Sequence, residues 1–187
     1  MSTKKKNIDE VIKFPEGVNF EIVDSVLKIK GPKGYLERKF FHPSLKIIGD
    51  NDSIKLENKR KKFSKNEKRM IKTFKAHIVN MIRGANEGFS YHLKIVSGHF
   101  PMSVALEGQS KFTIKNFLGE KAPRTANLLP NVKASIKGDE ITIESPDREA
   151  AGQSAANLET ATRITNRDRR IFQDGIYITK KPERHKK

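Results

Sequence analysis

The chain has 187 residues, with 38 Lys and Arg against 22 Asp and Glu, a formal net charge of +16 and a pI near 10.0. Its hydrophobic fraction of 35%, without tryptophan or cysteine, predicts lean aliphatic cores and excludes a disulfide framework, thiolate catalysis and any Cys-bearing zinc site. The charge excess predicts a phosphate-bearing partner held through counterion release, a merely soluble basic surface being the plain alternative.

Met1-Ser-Thr-Lys-Lys-Lys6 lacks the apolar run of a secretory signal, and no stretch reaches the roughly 18 apolar residues a membrane helix needs, so a soluble intracellular protein without membrane contact is expected. Gly31-Pro-Lys-Gly34 places Pro second and Gly fourth, which predicts a type I turn between two strands. A phosphate-binding loop would need a longer glycine spacing and a following helix. The Gly-x-x-Gly clamp of KH modules joins helices, whereas this one lies between strand patterns. Lys30 and Lys33 can still touch phosphate from such a turn.

Residues 58–75 carry nine basic side chains and one acid. Lys59, Arg60, Lys61 and Lys62 are expected to form a flexible secondary basic surface, and Lys65, Lys68 and Lys72 the solvated face of a helix. That helix should begin at Ser64, because Ser64-Lys-Asn-Glu67 spells a capping box. Ile71, Phe74, Ile78, Met81 and Ile82 recur at helical spacing as its buried stripe, with Gly84 as the expected C-cap.

Beyond this helix the pattern restarts. Leu27-Lys-Ile-Lys-Gly-Pro-Lys-Gly34 recurs in outline as Phe112-Thr-Ile-Lys-Asn-Phe-Leu-Gly119, and Ile47-Ile-Gly-Asp50 with Ile54-Lys-Leu-Glu57 as Ile136-Lys-Gly-Asp139 with Ile141-Thr-Ile-Glu144. The offsets predict two related modules with a seam near Gly88. The expected class is α+β, two duplicated domains, each a small antiparallel sheet packed with one main helix. The N-terminal module spans 1–88, the C-terminal module 89–181 with the main RNA-binding surface, and a basic tail 182–187.

In the second module His99-Phe-Pro101 reads as a structural turn, its ring packed or hydrogen-bonded. Phe112 and Ile114 alternate with Lys111, Thr113 and Lys115, predicting a strand with one wet face. The following loop, Asn116-Phe-Leu-Gly-Glu-Lys-Ala-Pro-Arg124, exposes Lys115, Lys121 and Arg124, while Phe117 suits either the core or a stack on a base. Ser145-Pro-Asp147 should open the second helix with Ser145 as N-cap, and Ala150, Ala151, Ser154, Ala155 and Leu158 should form its small inner face. Arg163 lies beyond that stripe, free to face outward.

The last strand should be Gly175-Ile-Tyr-Ile-Thr179, inside a segment, residues 163–187, with nine basic and three acidic side chains. Five scattered histidines and lysine-interleaved acids assemble no metal or acid/base set, so no catalytic residue, metal or cofactor is expected. An RNA-processing enzyme and a free-standing RNA or polyanion binder are the rival classes.

Four words stand together in order: Thr73-Phe-Lys-Ala-His77 with Asn80-Met81, Gly98-His-Phe-Pro-Met102, Asn116-Phe-Leu-Gly-Glu-Lys-Ala-Pro-Arg124 and Arg170-Ile-Phe-Gln-Asp-Gly-Ile-Tyr-Ile178. In them, from about Phe14 to Pro182, the chain resembles the universal large-subunit ribosomal protein six family, whose eukaryotic relative is numbered nine. Ala122-Pro-Arg124 and Gly152-Gln-Ser-Ala-Ala156 lean to its archaeal type.

The resemblance implies a non-catalytic structural protein of the large ribosomal subunit, in the cytoplasm. It implies binding to large-subunit rRNA near the translation-factor region, beside the sarcin-ricin loop and stalk base, among neighbouring ribosomal proteins and with no small-molecule substrate. Carried onto this sequence, the rRNA contacts are Lys115, Asn116, Lys121, Arg124, Arg163, Arg167, Arg169, Arg170, Lys180 and Lys181, with Arg184, Lys186 and Lys187 in the tail. Where family members commonly carry a second basic residue after the loop arginine, this chain has Thr125, which implies one contact fewer.

Overall fold

Apolar and polar residues alternate along Val26–Gly31, and the alternation sends Leu27 and Ile29 to one face, where both are fully buried. This strand is the centre of one sheet in a computed structural model that describes residues 10–50, 53–58, 64–108 and 110–183. The molecule divides into two units, Met1–Glu87 and Gly88–Lys187.

The first unit runs β1 (Glu10–Lys13), β2 (Asn19–Val23), β3 (Val26–Gly31), β4 (Gly34–Lys39), β5 (Leu45–Asp50), β6 (Ser53–Asn58) and α1 (Lys65–Asn86). Its strands form two antiparallel sheets, ordered β2-β3-β4 and β1-β6-β5. The second runs β7 (Phe89–Val96), β8 (Ser103–Glu107), β9 (Lys111–Lys115), β10 (Arg124–Asn127), β11 (Lys133–Lys137), β12 (Glu140–Ser145), α2 (Arg148–Ala161) and β13 (Gly175–Lys180). Here β8-β9-β10 answers β2-β3-β4, and β11-β12-β7 answers β5-β6-β1, with β13 added beyond β7.

The α+β class and the duplication therefore stand, with a refinement: each unit has two sheets where one was expected. Period-2 strands of four to eight residues bury one face each, and two such faces close a core around a single helix more completely than one.

The turn at Pro32-Lys33 joins β3 to β4 with Gly31 opposite Gly34, and neither central residue has positive φ, as a type I turn requires. The structure also explains its first glycine. A Cβ at Gly31 would lie 2.5 Å from the Ala85 carbonyl oxygen, and the Lys33 N–H donates to that same oxygen at 2.9 Å. The turn thus docks on the last turn of α1 and satisfies one of its terminal carbonyls.

Helix α1 begins as its sequence demands: Ser64 Oγ accepts the Glu67 N–H at 3.3 Å and the Glu67 carboxylate accepts the Ser64 N–H at 2.8 Å. Ile71, Phe74, Ile78, Met81 and Ile82 are all buried on its inner face. Gly84, however, is not the cap. It lies buried inside the helix, which continues to Asn86, and Gly88 with φ of 78° takes the left-handed position beyond Glu87.

Helix α2 begins two residues later than expected. Ser145 still belongs to β12, opposite Phe89, and its hydroxyl is committed to the Asn131 carbonyl at 2.9 Å. Asp147 caps instead, accepting the Glu149 N–H at 2.9 Å. Ala150, Ala151, Ser154, Ala155 and Leu158 form the buried face as read. Thr113 departs from the wet face assigned to β9: it is buried, so all three residues Phe112, Thr113 and Ile114 of this central strand are covered on either face.

No helix among the described residues is long and apolar enough to cross a membrane.

Candidate nucleic-acid interface

Three loops of the second unit converge at one end of its sheets, and each is bound to another by contacts between residues distant in sequence. Residues 97–102 follow β7, residues 116–123 follow β9, and residues 162–174 join α2 to β13.

The first and third loops meet at Asp174, a carboxylate 2% exposed. Its Oδ1 accepts the N–H of Gly98 at 2.5 Å and of His99 at 2.9 Å, while Oδ2 faces His99 Nδ1 at 2.6 Å. Burial alone would raise the Asp174 pKa, but these donors and the His99 charge outweigh it and hold the carboxyl below its ordinary range. The His99 ring in turn stacks on Phe172 at 4.8 Å between centroids, and the Arg167 guanidinium lies 4.9 Å from the centroid of Phe172.

The second loop is held from both sides. Asn116, at φ of 60°, donates its side-chain N–H to the Pro101 carbonyl at 2.9 Å, and Phe100 packs over Gly119. Arg124 forks onto Glu120 at 2.6 and 2.7 Å, donates to the carbonyls of Ala161 and Arg163, and covers the Phe117 ring at 4.3 Å. The hydrogen bonds from Arg124 lower the Glu120 pKa against its partial burial, and the charges of Arg124 and Arg167 add to the effect.

The far end of the third loop is closed by Thr162, whose Oγ1 accepts the Ile176 N–H at 2.9 Å and donates to the Leu158 carbonyl at 3.3 Å. Between its fixed ends the loop turns on Asp168, whose carboxylate takes the Arg170 side chain at 2.8 Å and the Arg170 N–H at 3.0 Å. The side-chain bonds first and the backbone bond second lower the Asp168 pKa, and the same pairing raises that of Arg170.

The result is a rigid surface of cations with apolar tips. Lys115, Lys121, Arg163, Arg167, Arg169 and Arg170 are exposed there, beside Phe100 at 44% and Ile171 at 63% exposed. Such a surface offers guanidinium forks to phosphates and hydrophobic edges to bases or ribose. Among the described residues, no group of three or more His, Asp or Glu side chains is placed to hold a metal ion.

A family model described as ribosomal protein L6 matches residues 14–88 and again residues 100–175. The chain belongs to the ribosomal protein L6 family. Its relatives include proteins named large ribosomal subunit protein uL6 from three archaea. That of Methanobrevibacter smithii is 47% identical over 93% of this chain and 96% of its own length. Those of Methanocella arvoryzae and Methanosarcina mazei are each 43% identical, over 91% and 94% of this chain and 95% and 98% of their own. An L6 protein is a structural component of the ribosome and not an enzyme, and the duplicate match accords with the repeated topology.

Within this L6 fold the expected contact residues separate into groups. Arg163, Arg167, Arg169, Arg170, Lys115 and Lys121 share the loop surface. Arg124 and Asn116 are there too, but their side chains bind the protein itself. Lys180 and Lys181 are exposed at the other end of β13, whose last paired residue stands opposite His92, roughly 17 Å along the strand from Gly175. Arg184, Lys186 and Lys187, and the secondary set Lys59, Arg60, Lys61 and Lys62, lie outside the described residues.

Phe117, open between core and base stacking on sequence grounds, is core: it is 1% exposed and roofed by Arg124. Sequence reasoning missed Asp174, which stood among the acids that assemble no metal or acid/base set, and missed Phe100 and Ile171 as the exposed apolar tips. Only the contact between positions 75 residues apart reveals the first.

Proposed function

We propose that this chain is a structural constituent of the large ribosomal subunit and binds large-subunit rRNA through the three-loop surface of its second unit. The site of binding is the translation-factor region, beside the sarcin-ricin loop and stalk base, among neighbouring large-subunit proteins of the cytoplasmic ribosome. The observation that carries this reading is the loop 162–174: four exposed arginines on a segment tied down by Thr162 at one end and Asp174 at the other. Preorganised cations lose little conformational freedom on binding, which a flexible basic arm would forfeit. The archaeal relatives named as large-subunit proteins, aligned over nearly their whole length, support the assembly.

Helix α1 also exposes Lys65, Lys68 and Lys72, but these sit on an open helix face. They form the lesser surface. Lys180 and Lys181 extend the main contact along β13.

The test is binding of the purified chain to fragments of large-subunit rRNA, followed by footprinting. The proposal expects protection of one defined region at the factor-binding site and co-sedimentation with large subunits. Equal affinity for unrelated RNA and duplex DNA at every salt concentration would refute it.

A further inference from the structure

The end of α2, the loop after it and β13 enclose a recess of about 290 Å3 in the second unit, lined among others by Glu159, Thr162, Arg163, Ile164, Arg169 and Tyr177. The arginines of the neighbouring surface differ in how they are engaged. Arg124 and Arg170 are paired with carboxylates and Arg167 lies on Phe172, whereas the side chains of Arg163 and Arg169 have no hydrogen-bond or ion-pair partner among the described residues. Both of these open guanidinium groups line the one recess.

Opposite in character is Tyr177. The residue is 37% exposed, yet its side chain is fixed: the hydroxyl donates to the Gln173 carbonyl at 3.1 Å, with the Asp174 carbonyl at 3.4 Å, and the ring lies so near Gly175 that a Cβ there would meet it at 3.2 to 3.3 Å. A locked, half-exposed aromatic face is a stacking platform whose ordering cost is already met by the fold. Ile164, itself buried, adds apolar surface, and Glu159, the acid in this lining, is turned toward the Ile178 N–H at 3.4 Å.

We propose that this recess takes one unpaired nucleotide of the bound RNA, its phosphate between Arg163 and Arg169 and its base against the Tyr177 ring. The inference rests on the reading that the second unit binds rRNA, and adds to it the kind of RNA element recognised. Two arginines lining one recess can both donate to a phosphate, and an aromatic face matches a base only when that base has left its helix. A double helix keeps its bases stacked inward and would leave Tyr177 without a partner.

The experiment is zero-length ultraviolet cross-linking of the full chain to a large-subunit rRNA transcript, with the adduct mapped by mass spectrometry, beside affinities of three variants. The expected result is a cross-link from Tyr177 to a single nucleotide, about tenfold weaker binding for Tyr177→Leu, and binding within about twofold of the parent for Tyr177→Phe, which keeps the ring. Arg163→Gln with Arg169→Gln, which removes both partners of that one phosphate, should lower the salt dependence by about one phosphate contact. Should Tyr177→Leu fail to fold, as its thermal melt would show, the cross-link on the parent chain decides. Absence of a Tyr177 cross-link overturns the recess; if specific rRNA binding persists, the function proposed above stands. Indifference of the parent chain to RNA sequence and source overturns both.

Discussion

Asp174 and His99, 75 residues apart in the chain, meet at 2.6 Å, and the same carboxylate takes the backbone N–H groups of Gly98 and His99. One buried acid therefore fixes the loop after β7 to the end of the loop that leads into β13, and the stack of His99, Phe172 and Arg167 is built on that joint. Positive charge on this loop surface is positioned by a negative group beneath it.

Asp174→Ala should destabilise the second unit by about 3 kcal/mol, since two backbone donors and an imidazole lose a charged acceptor. Asp174→Asn keeps an acceptor and should cost less, but it removes a titration. The folded-state pKa of Asp174 is depressed, so its stabilisation is fully present above the ordinary Asp value of about 3.9 and is lost as pH falls through the lowered folded value. Urea melts of the parent chain should show stability falling with acid below about pH 4, with a shallower fall for Asp174→Asn; identical slopes would remove Asp174 from the account.

Thr162→Val preserves shape while removing the acceptor of the buried Ile176 N–H. The expected loss is about 1–3 kcal/mol in chemical denaturation. Hydrogen exchange at the Ile176 amide should accelerate with it, and an unchanged rate would show that the amide is protected by other means.

Arg124 is expected to act on stability more than on binding, because its guanidinium is spent on Glu120, two carbonyls and the Phe117 ring. Arg124→Ala should lower the midpoint of thermal unfolding of the second unit. The salt slope of rRNA binding, measured on the fraction still folded, should move by less than one contact.

Arg167→Gln, Arg169→Gln and Arg170→Gln together should weaken rRNA binding and reduce the slope of log affinity against log salt by about 2 to 3 units, at 0.7–0.9 per phosphate. The matched change at Lys65, Lys68 and Lys72 should have a smaller effect. Filter binding across a salt series measures both, and equal effects would show that the principal surface lies elsewhere.

Gly31→Ala tests the fold of the first unit apart from RNA. The added Cβ would meet the Ala85 carbonyl oxygen at 2.5 Å, and backbone on both sides must shift. Destabilisation of about 1–3 kcal/mol is expected in denaturant; a neutral outcome would mean that the turn lifts from the helix freely.

Local signals were legible in the chain itself. The capping box at Ser64 and Glu67, the stripe from Ile71 to Ile82, the Pro32-Lys33 turn and the last strand each depend on neighbours within a few residues, and each was found where the pattern placed it. The repeat of Leu27–Gly34 in Phe112–Gly119 was likewise visible, because duplicated cores demand duplicated alternation. The cap positions were less so: Gly84 was displaced by Gly88 and Ser145 by Asp147, since a neighbouring strand or helix decides whether a small or polar residue is free to cap.

What the sequence by itself determined was the class, the duplication, the family words and the presence of excess positive charge in the last segment. Tertiary structure alone decided which of those charges are available. Arg124 and Arg163 look alike in the chain, but one is clamped on Glu120 and two carbonyls while the other opens into a recess. The distinction rests on a buried acid, a buried threonine and a locked tyrosine that come together only when loops distant in sequence close on one another, and no local periodicity encodes contacts of that range.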